Sequence, residues 1–491
     1  MNKWMKRTAA LSLSVGMMTP VLAACTSPNT TDNTERTLRI ATTMGYAAND
    51  EYFRQRFTEL YEFANPNVTI EIIPMQDDRY MYGGQPEGGE KPEDPLEKLK
   101  GMMQGDNPPD IVMIGYEQMP DLINNNMLTQ LDPLITKDKF DISDFVPAVI
   151  EGIKKAGEGK IYALAPTFNS SAVIYNKRMF DEAGVTYPTD KMTWEQTFDL
   201  ARRLAKGEGE NRKYGFSFST YNMGGDMSWA TQLYTAPLQL RMFDDNGEKM
   251  TVDSDQWENA WKTMLQINTE KLVPGPFDMS NMNGKMSPNE PYNPFQHDDF
   301  LSGRVAMSII NYGELDRLIN AMKNAEHYKG FSAFEWDVVT LPVHQEAPDM
   351  GGYIGMEGIM SINAKAQNAE EAWKFMKFIN GEDWARLKAS SAHNIVSRQK
   401  YIKKKDGAEY NQQAFTTLLP VPFQDNKLYL ENPRLYDVQG IGHQKLQQVM
   451  EGKLEVREAL KQWQTEGDAM IQKFKENPDA QPDKSGMIPL G

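Results

Sequence analysis

The chain has 491 residues, 40% of them hydrophobic, and a net charge of −16. That length exceeds what one core usually holds, so two or more lobes are expected, and the acidic balance argues against nucleic acid and against direct recognition of anionic lipid. A single cysteine excludes an intramolecular disulfide framework.

The first segment, "MNKWMKR", carries Lys3, Lys6 and Arg7 without an acid, and "TAALSLSVGMMTPVLAA" follows uncharged. This is the layout of a secretory signal. The run is broken by Ser12, Ser14, Gly16 and Pro20 and falls short of the ~20 apolar residues that span a bilayer. Leu22-Ala23-Ala24-Cys25 resembles the lipobox of bacterial lipoproteins. That resemblance implies removal of residues 1–24 and acylation, as by palmitate, of Cys25, the first residue of a mature chain held on the extracytoplasmic face of the cell membrane. Stable anchoring takes two acyl chains at ~0.8 kcal/mol per buried methylene. The alternative is an ordinary signal peptide with an incidental cysteine. Loss of Lys3, Lys6 and Arg7 takes the net charge from −16 to −19, which leaves membrane attachment to the acyl chains. Residues 25–36, rich in Thr, Ser, Asn and Pro, read as a flexible tether.

"TLRIATTM" (37–44) reads as a strand. In "EYFRQRFTELYEFANP", Phe53, Phe57, Leu60, Tyr61 and Ala64 recur at helical spacing before Pro66. "VTIEIIPM" (68–75) is a second strand, "DPLEKLKGMMQG" a helix, and "PDIVMIG" (109–115) a continuous apolar run suited to a buried parallel strand. Strand and helix alternating in this way predict an α/β lobe. The pattern restarts at residue 157: "GEGKIYALAPTFNSSAVIYNKRMFDEAGV" places two strand-like runs around Pro166 to Ser171, and Thr193 with Gln196 forms a capping box at the next helix. "KYGFSF" (strand), "DDNGEKMTVDSDQWENAWKTMLQI" (hairpin, then helix), "FLSGRVAMSIINYG" (turn, strand), "WDVVTLPV" and "GIMSINAKAQ" (strands) and "NAEEAWKFMKFI" (helix) complete the order. The last segment, "KENPDAQPDKSGMIPLG", has the composition of a loose tail.

These segments in this order resemble the extracellular solute-binding proteins of the maltose-binding-like class, family 1, the capture subunits of bacterial ABC importers. "NPPDIVMIG", "GKIYALAPTFNSSAVIYNKRMFDEAGV" with "TWEQTFDLARRLA", "FLSGRVAM", and "WDVVTLPV" with "GGYIGMEGIMSINAKAQNAEEAWKFMKFI" carry the likeness over nearly the whole mature chain. The resemblance implies an α/β, two-lobed periplasmic-binding-protein-like fold with hinge crossings and a cleft between the lobes. It places 37–167 and 357–392 in the N-lobe, and 168–356 and 393–491 in the C-lobe with C-terminal helices and the loose tail. It also implies a monomer that hands a sugar or oligosaccharide to permease subunits, without cofactor or catalysis. The sequence departs from the maltodextrin binders of the family in having Asn169 where those have an acid at the hinge.

Catalytic templates are absent: there is no G-x-S-x-G, H-E-x-x-H, Walker A or dinucleotide-binding glycine motif. The five histidines never come closer than 17 residues apart, so their spacing predicts no metal cluster. Asn246-Gly247 reads as a hairpin turn rather than a calcium loop. A sugar site needs flat apolar platforms and polar partners in a cleft, and loops at the carboxyl ends of strands line such clefts. Three loops qualify: Thr43 to Tyr46, Tyr116 to Gln118 and Asn311 to Glu314, with Tyr116 and Tyr312 as stacking candidates and Glu117 and Asn311 as hydroxyl partners. Trp257, Trp261 and Trp373 lie on helical stripes and read as core. Trp229 follows a glycine-bearing loop where the family brings aromatics to the ligand; with Tyr221 it is the expected second-lobe platform, core packing being the alternative. The hinge mapping adds Asn169 and Tyr353. The expected function is capture of a sugar by lobe closure. An exported glycosidase, or a peptide or polyamine binder of the same architecture, is the rival reading.

Overall fold

The computed structural model describes residues 35–43, 51–75, 94–221, 227–275, 294, 295, 297–352, 354–390, 395–421, 428, 429 and 434–476. Cys25, residues 26–34 of the tether, Tyr46, Tyr353 and residues 477–491 of the C-terminal tail lie outside the described residues; Arg36, expected in the tether, instead opens the first strand, and Lys475 and Glu476, expected in the loose tail, end a helix.

The first lobe is built on strands β1 (Arg36–Thr42), β2 (Val68–Pro74) and β3 (Ile111–Met113). β1 pairs in parallel with both β2 and β3, and its Leu38, Ile40 and Ala41 are fully buried because the central strand is covered on both faces. The first helix departs from a straight stripe. It starts at Glu51–Phe53, winds as a π-helix over Arg54–Thr58 and continues through Glu59–Ala64. The wider turn shifts the phase of the face. Phe53, Phe57, Thr58 and Tyr61 are buried, while Ala64, which regular spacing predicts on the apolar stripe, is exposed.

The chain leaves this lobe through β4 (Thr167–Asn169) and at once enters the second lobe through β5 (Ser171–Asn176). The apolar run 161–165 makes only an isolated bridge, Leu164 to Met360, because Pro166 interrupts it; the strand falls just beyond, inside the stretch expected between two strands. The second sheet adds β6 (Tyr214–Ser217), β7 (Val305–Asn311) and β8 (Trp336–Thr340) in the order β6-β7-β5-β8. β5 is antiparallel to β7 and β8, and β6 is parallel to β7. Val173 and Tyr175 face a core with Trp194, Phe216, Trp257, Trp261 and Trp463. Ala172 and Ile174 face the opposite way, into a core continuous with that of the first lobe.

The return path runs through β9 (Met350–Gly351), β10 (Gly355–Glu357) and β11 (Met360–Ile362). β11 closes the first sheet as an antiparallel edge on β3. β12 (Ile395–Val396) joins β10 on the two sides of β4, and β13 (Leu419–Pro420) pairs with β9. Residues 395–398 adjoin the first lobe: β12 pairs with β4, Val146 N–H donates to Ser397 O at 2.8 Å, and the Arg398 guanidinium lies 4.6 Å from the Phe145 ring centre.

Candidate ligand cleft

Strand register decides which loops meet. In the first sheet β1 and β3 end side by side, with Thr43 N–H on Met113 O at 3.2 Å, and Leu164 pairs with Met360 at that same end just before the chain crosses. In the second sheet Ser171, where the chain arrives, faces Asn311 at the end of β7, and Ala172 faces Thr340 at the end of β8. The carboxyl ends of both sets of strands thus look toward the crossing pair β4–β10, the position where open α/β sheets carry their ligands.

On the first-lobe side Thr43 is buried and its hydroxyl donates to Gln118 Oε1 at 2.7 Å, an oxygen that also accepts from Gly115 N–H at 2.9 Å. These bonds lock the two predicted loops together. Tyr116 donates its hydroxyl to Gly152 O at 2.8 Å, and burial pushes its phenol pKa up. Glu117 folds back over Gly115, so that a Cβ there would come within 2.3 Å of the carboxylate.

On the second-lobe side Asn311 Oδ1 accepts from Gly313 N–H at 2.9 Å, and the Asn311 backbone N–H donates to Glu314 Oε2 at 2.9 Å. Tyr312 is only 4% exposed. Its ring meets Phe415 edge-on at 5.4 Å and has the Lys405 ammonium 4.3 Å from its centre. The expectation that Tyr312 presents a stacking face is therefore corrected: both neighbours and the core behind hold it as wall. Tyr221 is 43% exposed and Trp229, in the first turn of the helix Met227–Thr235, 37%. Trp257, Trp261 and Trp373 are buried, as their helical stripes predict.

At the crossing strands, Asn169 is expected from the sequence but its partners are not: Asn169 donates its side-chain amide to Glu357, and Glu357 is ion-paired with Arg56 from the π-helical segment. Arg317, beside Tyr221, is likewise paired, with the buried Asp298. The signal for Glu357 is visible in "GMEG", an acid between two glycines at a crossing; Arg56 carries none, being one of several charges on an amphipathic helix.

Burial raises the carboxyl pKa of Asp298 and pushes Asp299 up to about 6, Arg304 opposing the second shift and Asp298 adding to it. No group of three or more His, Cys, Asp or Glu among the described residues could hold a metal ion, and no helix of the described residues is long and apolar enough to cross a membrane. A separate cavity of about 470 Å³ lies within the second lobe between Thr193, Tyr234, Asn259 and His344, and none of the described candidate residues lines it.

The family description "bacterial extracellular solute-binding protein" matches residues 45–386. A binding protein of Brucella abortus is 21% identical over 438 residues, covering 87% of this chain and 92% of that protein. The sn-glycerol-3-phosphate-binding periplasmic protein UgpB of Escherichia coli K12 is 22% identical over 355 residues, 69% of this chain and 74% of that protein. Among solved structures, a sugar transporter of Rhizobium etli in an open conformation superimposes with a TM-score of 0.56 at 19% identity, covering 88% of this chain and 99% of the other.

Proposed function

The chain belongs to the bacterial extracellular solute-binding proteins, and on that footing we propose that it captures an uncharged sugar or short oligosaccharide between its lobes and delivers it to the permease of an ABC importer. It works as a monomer tethered through lipid on Cys25 at the outer face of the cell membrane, and it makes and breaks no bond in its ligand. The observation that supports this reading is the facing of two sets of strand ends across β4–β10, with the partly exposed Tyr116 following β3 and the exposed Tyr221 and Trp229 following β6. A ligand touching both lobes binds the closed arrangement more tightly than the open one, and only that difference drives closure. The cations Arg56 and Arg317 each face a carboxylate. That balance favours a neutral ligand over the glycerol phosphate bound by the Escherichia coli relative.

The test is a thermal-shift screen of the pentoses and hexoses, their di- and trisaccharides, and sn-glycerol 3-phosphate, followed by small-angle scattering with the best binder. A ligand at 100 times its dissociation constant adds about 2.7 kcal/mol of stability. A saccharide that raises the melting temperature and reduces the radius of gyration is expected. A response to sn-glycerol 3-phosphate alone, or to no compound, overturns the saccharide reading.

A further inference from the structure

Three chain segments far apart in sequence converge on one carboxylate. Glu357 lies opposite Thr167 in the antiparallel pair β4–β10, and Gly355 lies opposite Asn169, so Asn169 and Glu357 are diagonal neighbours on one face. Long side chains span such diagonals, and Asn169 Nδ2 donates to Glu357 Oε1. Arg56 Nη2 reaches the other oxygen, Oε2, from 301 positions away.

The approach of the helix to the strand is built in. Gly358 has φ +66°, and a Cβ there would lie 2.5 Å from the Phe57 ring, so only glycine lets Phe57 seat against the strand next to the Arg56–Glu357 pair. The π-helical turn over Arg54–Thr58 sets the phase that carries both Arg56 and Phe57 to this contact. Arg56 is further held over the rings of Tyr52 and Phe57 at 5.0 and 5.2 Å. The assembly is still open on one side: the Glu357 side chain is 25% exposed and Tyr52 54%. The Glu357 charge is balanced by Arg56, so what the exposed part of the carboxylate suits is a hydroxyl hydrogen rather than a cation.

We propose that Glu357 contacts the ligand, accepting hydrogen bonds from neighbouring hydroxyls of a saccharide, with Arg56 and Asn169 as residues that position its carboxylate. This rests on the saccharide reading above. The test is isothermal titration of wild type and Glu357→Gln with the pentose, hexose or oligosaccharide that shifts the wild-type melt most, and with its monodeoxy analogues. Glu357→Gln is expected to lower affinity at least ~10-fold, equivalent to about 1.4 kcal/mol, with the apo melting temperature nearly kept. At least one deoxy analogue that binds wild type poorly should lose no further affinity with Glu357→Gln, a coupling that a purely structural residue does not produce. Unchanged affinity, or strictly additive losses for every analogue, overturns the proposal while the saccharide reading stands; wild-type binding of no saccharide overturns that reading and the proposal with it. Should Glu357→Gln fail to fold, Glu357→Asp, which keeps the charge and shortens the reach, is judged by the same criteria.

Discussion

The guanidinium of Arg317 lies 4.5 Å from the centre of the Tyr221 ring, and the same side chain is paired with the buried carboxylate of Asp298. Cation and acid together fix one face of the tyrosine while 43% of the residue remains exposed. A ring held on one face and open on the other is suited to stack on a sugar. Tyr221→Ala is expected to lower saccharide affinity by ~10-fold, about 1.4 kcal/mol, and Tyr221→Phe to keep most of it. Titration of both variants checks this; equal losses would assign the effect to the hydroxyl rather than the ring.

Trp229 separates platform from core. At 37% exposure its removal leaves no sealed cavity, so Trp229→Ala should spare the apo melting temperature and lower affinity by at least ~10-fold. A loss of ~3–5 kcal/mol of stability is the signature of a core aromatic. Melting and titration on the same variant decide.

Gly358→Ala tests the contact that seats the first helix on the crossing strand. It faces a left-handed backbone, costing ~1–2 kcal/mol, and the Phe57 ring, whose displacement adds ~1–3 kcal/mol. Gly184 shares a positive φ, at +64°, but a Cβ there meets nothing within 4 Å. Denaturant melts of Gly184→Ala and Gly358→Ala should therefore show the second as the larger loss, the difference reporting the ring contact.

Asp299 is fully buried, and neither carboxylate oxygen has a hydrogen-bond partner among the described residues, Arg304 at 3.3 Å being its ion-pair partner. With its pKa pushed from 3.8 to about 6, the folded state holds the proton more tightly than the unfolded state. The stability this group contributes is present in full below its unfolded pKa and is lost as pH rises through about 6. Asp299→Asn is expected to stabilise the protein by roughly 1–3 kcal/mol at pH 8 and progressively less as the pH falls below 6. Melting temperature against pH for both proteins gives the comparison.

Cys25 should carry the anchor. Cys25→Ala is expected to release the protein from the membrane fraction or to leave its precursor uncleaved, since removing the thiol removes the proposed site of acylation. Detergent-phase partitioning of the folded variant measures this, and unchanged partitioning sinks the lipid anchor.

Local pattern carried much of this protein. The alternation of apolar runs with amphipathic stretches announced the first lobe's parallel strands and its helices, and the Thr193 capping box stands where its spacing puts it. The tryptophan stripes are buried for the same reason: periodicity along one element states which of its faces is apolar. Register and packing between elements decided the rest. Tyr116 and Tyr312 look alike in sequence, each following a strand, yet one rests partly exposed against Gly152 and the other is enclosed by Phe415 and Lys405. Arg56, Asn169 and Glu357 become neighbours because β10 pairs with β4 in one register and because a π-helical turn rotates Arg56 toward them. No periodicity within any one segment encodes that meeting; it is the distance between strands, and the glycine that lets the first helix close against them, that brings the three side chains together.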